Sequence, residues 1–252
     1  MGNNTVKLII NADDFGLTAG VTYGILFAHQ YGIVSSTTVM VNMPFAKESL
    51  KEAKKHPNLG VGLHLVFDAG RPVFASQSSL TSHSGYFLKK EGLMQSAKRE
   101  DIKNEVEAQL DLAHKWYGNI THIDSHHHLH HHFPLLLDVV LETAKNYNMP
   151  VRLLPDTKIS YKIASPDYFC GGFYGEESVS INNLKDMITS LKPGITEMMC
   201  HPGFMDSSLY KISSYNSMRM IEVAVLTNIK LKEHIQKQSI ELIHYGGVAD
   251  GR

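Results

Sequence analysis

Acidic and imidazole side chains recur at four places in this chain of 252 residues: Asp13-Asp14 in "NADDFG", His64 in "GLHL", the run "THIDSHHHLHHHF" at 121–133, and His201 in "MCHPGF". Two imidazoles and one carboxylate make a sound site for a divalent cation. Their nitrogen and oxygen atoms suit zinc and its neighbours, and three protein ligands leave a position open for water. Zinc brings the pKa of such a water toward ~7. A second carboxylate beside the site can accept the water's proton, and a further histidine can protonate a leaving group. General acid–base help of that kind is worth about 10²–10⁴ in rate. Together these parts suit metal-assisted hydrolysis of an amide or ester.

The spacing sets conditions. Asp13 and Asp14 are adjacent, so in a regular strand they face opposite ways. Both reach one site only if the strand bends, which Gly16 permits. The expected division is one ligand and one base. The histidine run lies mid-chain and is no terminal tag. Within it, His122, Asp124, His126 and His128 alternate and share a face if the strand stays extended. His127, His130, His131 and His132 cannot all be ligands, because one site holds about four groups. Asp124 is expected to orient a ligand histidine rather than to bind the cation itself.

The elements that must position these residues alternate. "VKLII", "STTVMV", "LGVGLHLV", "NITHIDSH", "MPVRLL", "GITEMMCH" and "IELIHY" read as strands. Between them lie helical stretches. Thr18 is a candidate N-cap and Gly32 a stop for the first, and Pro44 opens the second. Ser96 is a candidate cap for the third, and Pro134 starts the fourth. "INNLKDMITSL" and "SMRMIEVAVLTNIKLKEHIQKQ" read as the last two, the Met-rich part as packing. Repeated strand–helix steps imply a parallel sheet. The expected fold is α/β, a distorted (β/α) barrel of about seven parallel strands with its active site at the C-terminal strand ends; a doubly wound open sheet is the alternative. Two stretches, 67–93 and 155–180, read as loop insertions over that edge. His244 ends the last strand and receives no role.

Composition bounds the function. Hydrophobic content is 43%, charged content 19% and net charge −1, with no long basic or acidic run, which argues against nucleic-acid and membrane-surface partners. No apolar stretch reaches the ~20 residues of a membrane span. "MGNNTVKLIINADD" lacks a signal pattern, so a cytoplasmic protein with Cys170 and Cys200 as free thiols is expected.

In this order, "NADDFG" (11–16), "GIVSSTTVMVN" (32–42), "GLHL" (62–65), "THIDSHHH" (121–128), "FYGEE" (173–177) and "MCHPGF" (199–204) resemble the YdjC-like carbohydrate deacetylases, and most of all their chito-oligosaccharide deacetylases. The resemblance runs from near residue 6 to about residue 206 and weakens beyond. It implies hydrolytic removal of acetyl from N-acetylglucosamine units of short chitin oligomers, by one carbohydrate deacetylase domain spanning 1–252. It also implies a homodimer and one divalent metal, usually Mg2+, although the ligand types favour Zn2+ or another transition metal. By resemblance the metal ligands are Asp14, His64 and His126, Asp13 is the general base and His201 the general acid. Asp124, His128, Arg152 and Tyr174 are expected to support these groups or touch substrate.

Three rivals remain. A metallophosphoesterase or a sugar isomerase could use a similar barrel, the former with more carboxylates at strand ends. A non-enzymatic metal-binding protein would hold metals loosely on the 126–132 run.

Overall fold

The decapeptide VKLIINADDF forms the central strand β1 (Val6–Phe15), buried continuously from Leu8 to Phe15. A strand covered on both faces needs such an unbroken apolar run rather than alternation. The computed structural model describes residues 5–74, 77–155, 157–159 and 162–249. Parts of the expected loop insertions (75–76, 156, 160–161) and the chain ends, including the start on which the absence of a signal was read, lie outside the described residues.

One edge of β1 pairs with β6 (Gly194–Cys200), which pairs in turn with β5 (Tyr168–Cys170). The other edge leads through β2 (Ser36–Val39) and β3 (Gly60–Leu65) to β4 (Ile123–Ser125). Each of these pairings is parallel, giving the order β4-β3-β2-β1-β6-β5. A two-residue strand, β7 (Glu241–Leu242), joins Lys7 and Leu8 of β1. The sheet curls toward closure between its edges. Ile123 bridges Val151, and the Val151 N–H donates to Ala164 O at 2.9 Å. This is the expected distorted (β/α) barrel with parallel strands.

Helices supply the crossovers. They are α1 (Ala19–Tyr31), α2 (Ala46–Ala53), α3 (Lys90–Ser96), α4 (Arg99–Trp116), α5 (Leu129–His132), α6 (Pro134–Tyr147), α7 (Ile181–Thr189), α8 (Ser207–Ile212), α9 (Ser217–Leu226), α10 (Ile229–Lys237) and α11 (Gly246–Ala249). Thr18 caps α1 through its side chain, and Pro134 opens α6. Among the described residues no helix is long and apolar enough to cross a membrane. Cys170 and Cys200 are both free.

Several expected elements differ. "MPVRLL" forms only the Val151 bridge, because Pro150 has no N–H for a ladder; the fifth strand is "YFC" instead. Ser96 ends α3 rather than capping α4. Pro44 precedes a helix that begins at Ala46. The last long helix is broken into α9 and α10 at Asn228, whose side chain accepts the Lys230 N–H. The extended register of the histidine strand stops at Ser125. His127 and His128 both take left-handed backbone (φ 52°), so the alternation of His122, Asp124, His126 and His128 on one face does not hold beyond that point.

The 67–93 insertion is anchored from below. Glu105 of α4 accepts the Val73 and Phe74 N–H groups at 2.9 and 2.8 Å, and Gln109 accepts that of Val66 at 3.0 Å.

Candidate active site

A slip at the end of β1 brings two adjacent carboxylates to one place. Ala12 is in register with Thr37, but the next partners are Phe15 and Val39. Asp14 sits in this irregularity with φ 71°, followed by Gly16 at φ 87°. A left-handed non-glycine residue costs about 1–2 kcal/mol and persists only where its surroundings demand it. Gly16 is required by space as well, since a Cβ there would lie 2.8 Å from Ala46 Cα. The bend turns both Asp13 and Asp14 into the cleft at the C-terminal edge of the sheet.

Asp14 Oδ1 lies 3.4 Å from His64 Nε2 and 3.2 Å from His126 Nδ1. One donor atom from each of Asp14, His64 and His126 falls within 4.8 Å of the others. Three features fit a divalent cation between them. His64 Nε2 is buried and has no hydrogen-bond partner. His64 Nδ1 is 2.7 Å from Asp124 Oδ1, so Nδ1–H donates to that carboxylate and Nε2 is the ring nitrogen turned toward Asp14. Asp124 is fixed in turn by the Thr38 hydroxyl, which donates to its Oδ2 at 3.0 Å. Burial opposes charge on His64, yet Asp124, Asp13 and Asp14 outweigh it and raise its pKa to about 9. A cationic charge is thus strongly favoured at this spot.

Asp14 Oδ2 accepts a 2.6 Å hydrogen bond from Arg219 Nη2. Burial disfavours the Asp14 carboxylate, but Arg219 and His126 hold its pKa well below the usual range.

Asp13 is gripped by Arg152, whose Nη1 and Nη2 each donate at 2.7 Å to one carboxylate oxygen. Burial again opposes ionisation, and Arg152 overcomes it, keeping Asp13 far below its ordinary pKa. Arg152 is fully buried and also pairs with Asp124 and Glu197. Its guanidinium braces Asp13 from within the protein. The histidine run explains how Arg152 is held. His130 Nε2 and His131 Nε2 lie 3.0 and 3.2 Å from the Arg152 carbonyl oxygen. His130 Nδ1 turns to Ser125 Oγ at 2.5 Å.

Across from Asp14, His201 Nε2 is 4.0 Å from Asp13 Oδ2. Burial pushes the His201 pKa down to about 4, against the pull of Asp13 and Asp14. Tyr174 meets the His201 ring edge-on and stacks on Tyr215 with centroids 4.3 Å apart. Together these groups line a cleft of about 940 Å³ that reaches well beyond the cation set, to Tyr86 and Phe87 on one side and Ile212 on the other.

The remaining histidines separate. His127 Nδ1 pairs with Asp68 at 2.7 Å on the cleft wall. His128 lines the cleft against Phe169, and burial pushes its pKa down to about 3. His244 lies low in the barrel, because β7 pairs with the start of β1 and not its end; its Nδ1 accepts the Gly246 N–H.

Sequence reasoning missed Arg219, Glu222, Tyr215 and Asp68. Arg219 and Glu222 belong to the Met-rich helix read as packing, yet both are buried and face the site. Their signal was present: an arginine and a glutamate three residues apart in an otherwise apolar segment need buried partners.

Residues 7–237 match the family model described as YdjC-like protein. The chain belongs to the YdjC-like family. The family match passes residue 206, where the resemblance in sequence was read as weakening, and includes α9. A relative in Geobacillus stearothermophilus, described as a carbohydrate deacetylase, is 40% identical over 94% of this chain and 96% of its own length. Another of that description, from Brevibacillus brevis, is 38% identical over 95% and 98%. A crystal structure from Enterococcus faecalis V583, described as a candidate cellobiose-phosphate cleavage protein, superposes with TM-score 0.88 at 32% identity, covering 96% of this chain and 98% of that one.

Proposed function

We propose that this YdjC-like protein is a divalent-metal-dependent deacetylase of N-acetylated sugars, with short N-acetylglucosamine oligosaccharides as substrate. The observation that carries the reading is the convergence of Asp14 Oδ1, His64 Nε2 and His126 Nδ1 with Asp13 held beside them. The carbohydrate deacetylases among its relatives support the substrate class.

Asp14, His64 and His126 would hold the cation. Once bound, it supplies a Lewis acid for the acetyl carbonyl and makes water more acidic. Two imidazoles favour Zn2+, Co2+ or Mn2+ over Mg2+. Asp13, kept ionised by Arg152, accepts the proton of the attacking water. His201 delivers a proton to the departing amine. Its low pKa keeps it neutral until the reaction protonates it, and makes it a ready donor once it is. One proton leaves water and one reaches nitrogen, so passage of a proton between Asp13 and His201 returns both to their starting states. Acetate and a free amino sugar are the products. Tyr174 and Tyr215 offer an apolar wall against which a sugar ring can lie.

The test is acetate release from N-acetylglucosamine oligomers by chelated protein, before and after adding Zn2+, Co2+, Mn2+ or Mg2+. Metal-dependent acetate formation is expected. Release from no acetylated glucosamine oligomer under any of these metals would reject the reading.

A further inference from the structure

Glu222 is fully buried, and the proposed chemistry gives it no task. Its two carboxylate oxygens serve two different parts of the cleft. Oε2 accepts the backbone N–H of His201 at 2.5 Å. Oε1 accepts the Tyr215 hydroxyl at 2.5 Å. Tyr215 is in turn the acceptor of the Gly175 N–H at 3.3 Å, and its ring stacks on Tyr174. One carboxylate on α9 thereby ties the strand-end segment carrying His201 to the 171–180 loop carrying Tyr174.

We propose that Glu222 is a positioning residue for deacetylation, fixing the His201 imidazole and the Tyr174–Tyr215 wall relative to Asp13. The proposal rests on the deacetylase reading above. Two observations make the tie more than packing. The β6 ladder ends at Cys200, so the His201 N–H has no ladder partner and is taken by the carboxylate. Secondly, His201 Nδ1 is buried with no hydrogen-bond partner. No side chain therefore fixes the ring through that nitrogen, and its direction is set by its backbone and by the flanking tyrosines. Burial pushes the Glu222 pKa up to about 7, against the hydrogen bonds from Tyr215 and the His201 N–H.

The geometry separates the role from simple space filling. A methionine at 222 fills nearly the same volume but accepts neither hydrogen bond. A glutamine accepts from His201 N–H through its oxygen and can donate to Tyr215 Oη through its amide. If Glu222 only packs, Glu222→Met is the milder change; if it positions, Glu222→Gln is.

The experiment compares full-length wild type, Glu222→Met, Glu222→Gln and Tyr215→Phe, each loaded with diamagnetic Zn2+. Zn2+ affinity, kcat and KM on an N-acetylglucosamine oligomer, and the 15N imidazole resonances of His201 are measured. Expected results are a kcat roughly 10- to 100-fold lower in Glu222→Met, as for loss of a hydrogen bond to a charged group, and recovery to within about 5-fold in Glu222→Gln. Zn2+ affinity should stay unchanged, and the His201 resonances should broaden or double in Glu222→Met only. Tyr215→Phe, which removes one of the two bonds, should fall between. An active wild type with Glu222→Met at full kcat, or Glu222→Gln as impaired as Glu222→Met, overturns the proposal. A wild type inactive on every acetylated sugar overturns the deacetylase reading alone. The His201 resonances then still decide whether Glu222 fixes the ring, since an unchanged spectrum in Glu222→Met rejects it.

Discussion

Arg152 and Asp13 form a two-pronged pair, each guanidinium nitrogen 2.7 Å from its own carboxylate oxygen, fully inside the protein. The pair sets both the direction and the charge of the proposed base. It also gathers Asp124 and Glu197 around one cation, so three carboxylates depend on one arginine.

Arg152→Lys keeps the charge but loses the fork. The expected outcome is a kcat lower by about 10²-fold or more, the lower end of what a positioned base contributes. Arg152 is what holds the Asp13 pKa down against burial, so weakening it raises that pKa. The base must be ionised to work, and the acid limb of the kcat/KM–pH profile therefore moves to higher pH. A profile that stays in place in the variant would separate Asp13 from the base role.

Asp13→Asn removes the proposed base and leaves Asp14, His64 and His126 intact. Metal content measured by mass spectrometry should stay at the wild-type level while acetate release falls about 10²–10⁴-fold. Loss of metal together with activity would make Asp13 a ligand.

Asp124→Asn weakens the partner of His64 Nδ1. Carboxylates that orient a ligand histidine typically contribute about 10–100-fold in metal affinity. Competition against a chelating dye should show a rise of about that size in the dissociation constant for Zn2+.

Burial lowers the pKa of His122, His130, His131 and His201 in the folded protein, to about 4 for the last two. In the unfolded chain they titrate near 6.5. Between those values the unfolded state binds more protons, so stability rises with pH. The stability these groups contribute is complete above about pH 6.5 and is lost as the pH falls toward 4. Melting temperature measured in chelator should drop between pH 7 and pH 5. His122 stacks on Tyr245 with centroids 3.6 Å apart, and His122→Gln should flatten the drop while lowering the melting temperature at pH 7. An unchanged slope would place the acid sensitivity elsewhere.

The alternation of strands and helices was legible because it is written locally. "VKLII" and "GITEMMC" are apolar enough to be buried on both faces, and Thr18 and Pro134 punctuate helices by chemistry that needs no distant partner. The short fifth strand was not legible. "YFC" is three residues long, and it is a strand because Met198 lies beside Cys170, a pairing no local propensity specifies. The histidine run showed the same limit. Its composition announced metal chemistry, yet His130 and His131 spend their nitrogens on the Arg152 carbonyl, and period-two counting cannot foresee two left-handed residues in succession.

By itself the sequence determined which side chains could do chemistry here, since Asp13, Asp14, His64, His126 and His201 sit at strand ends that a parallel sheet must collect at one edge. Only the tertiary structure decided how they are held. Arg219 reaches Asp14 across 205 positions and Arg152 reaches Asp13 across 139. Such partners are chosen by where helices and loops pack. A buried charge must find its counterion in space, and the chain order that separates the two carries no record of the distance the fold will close.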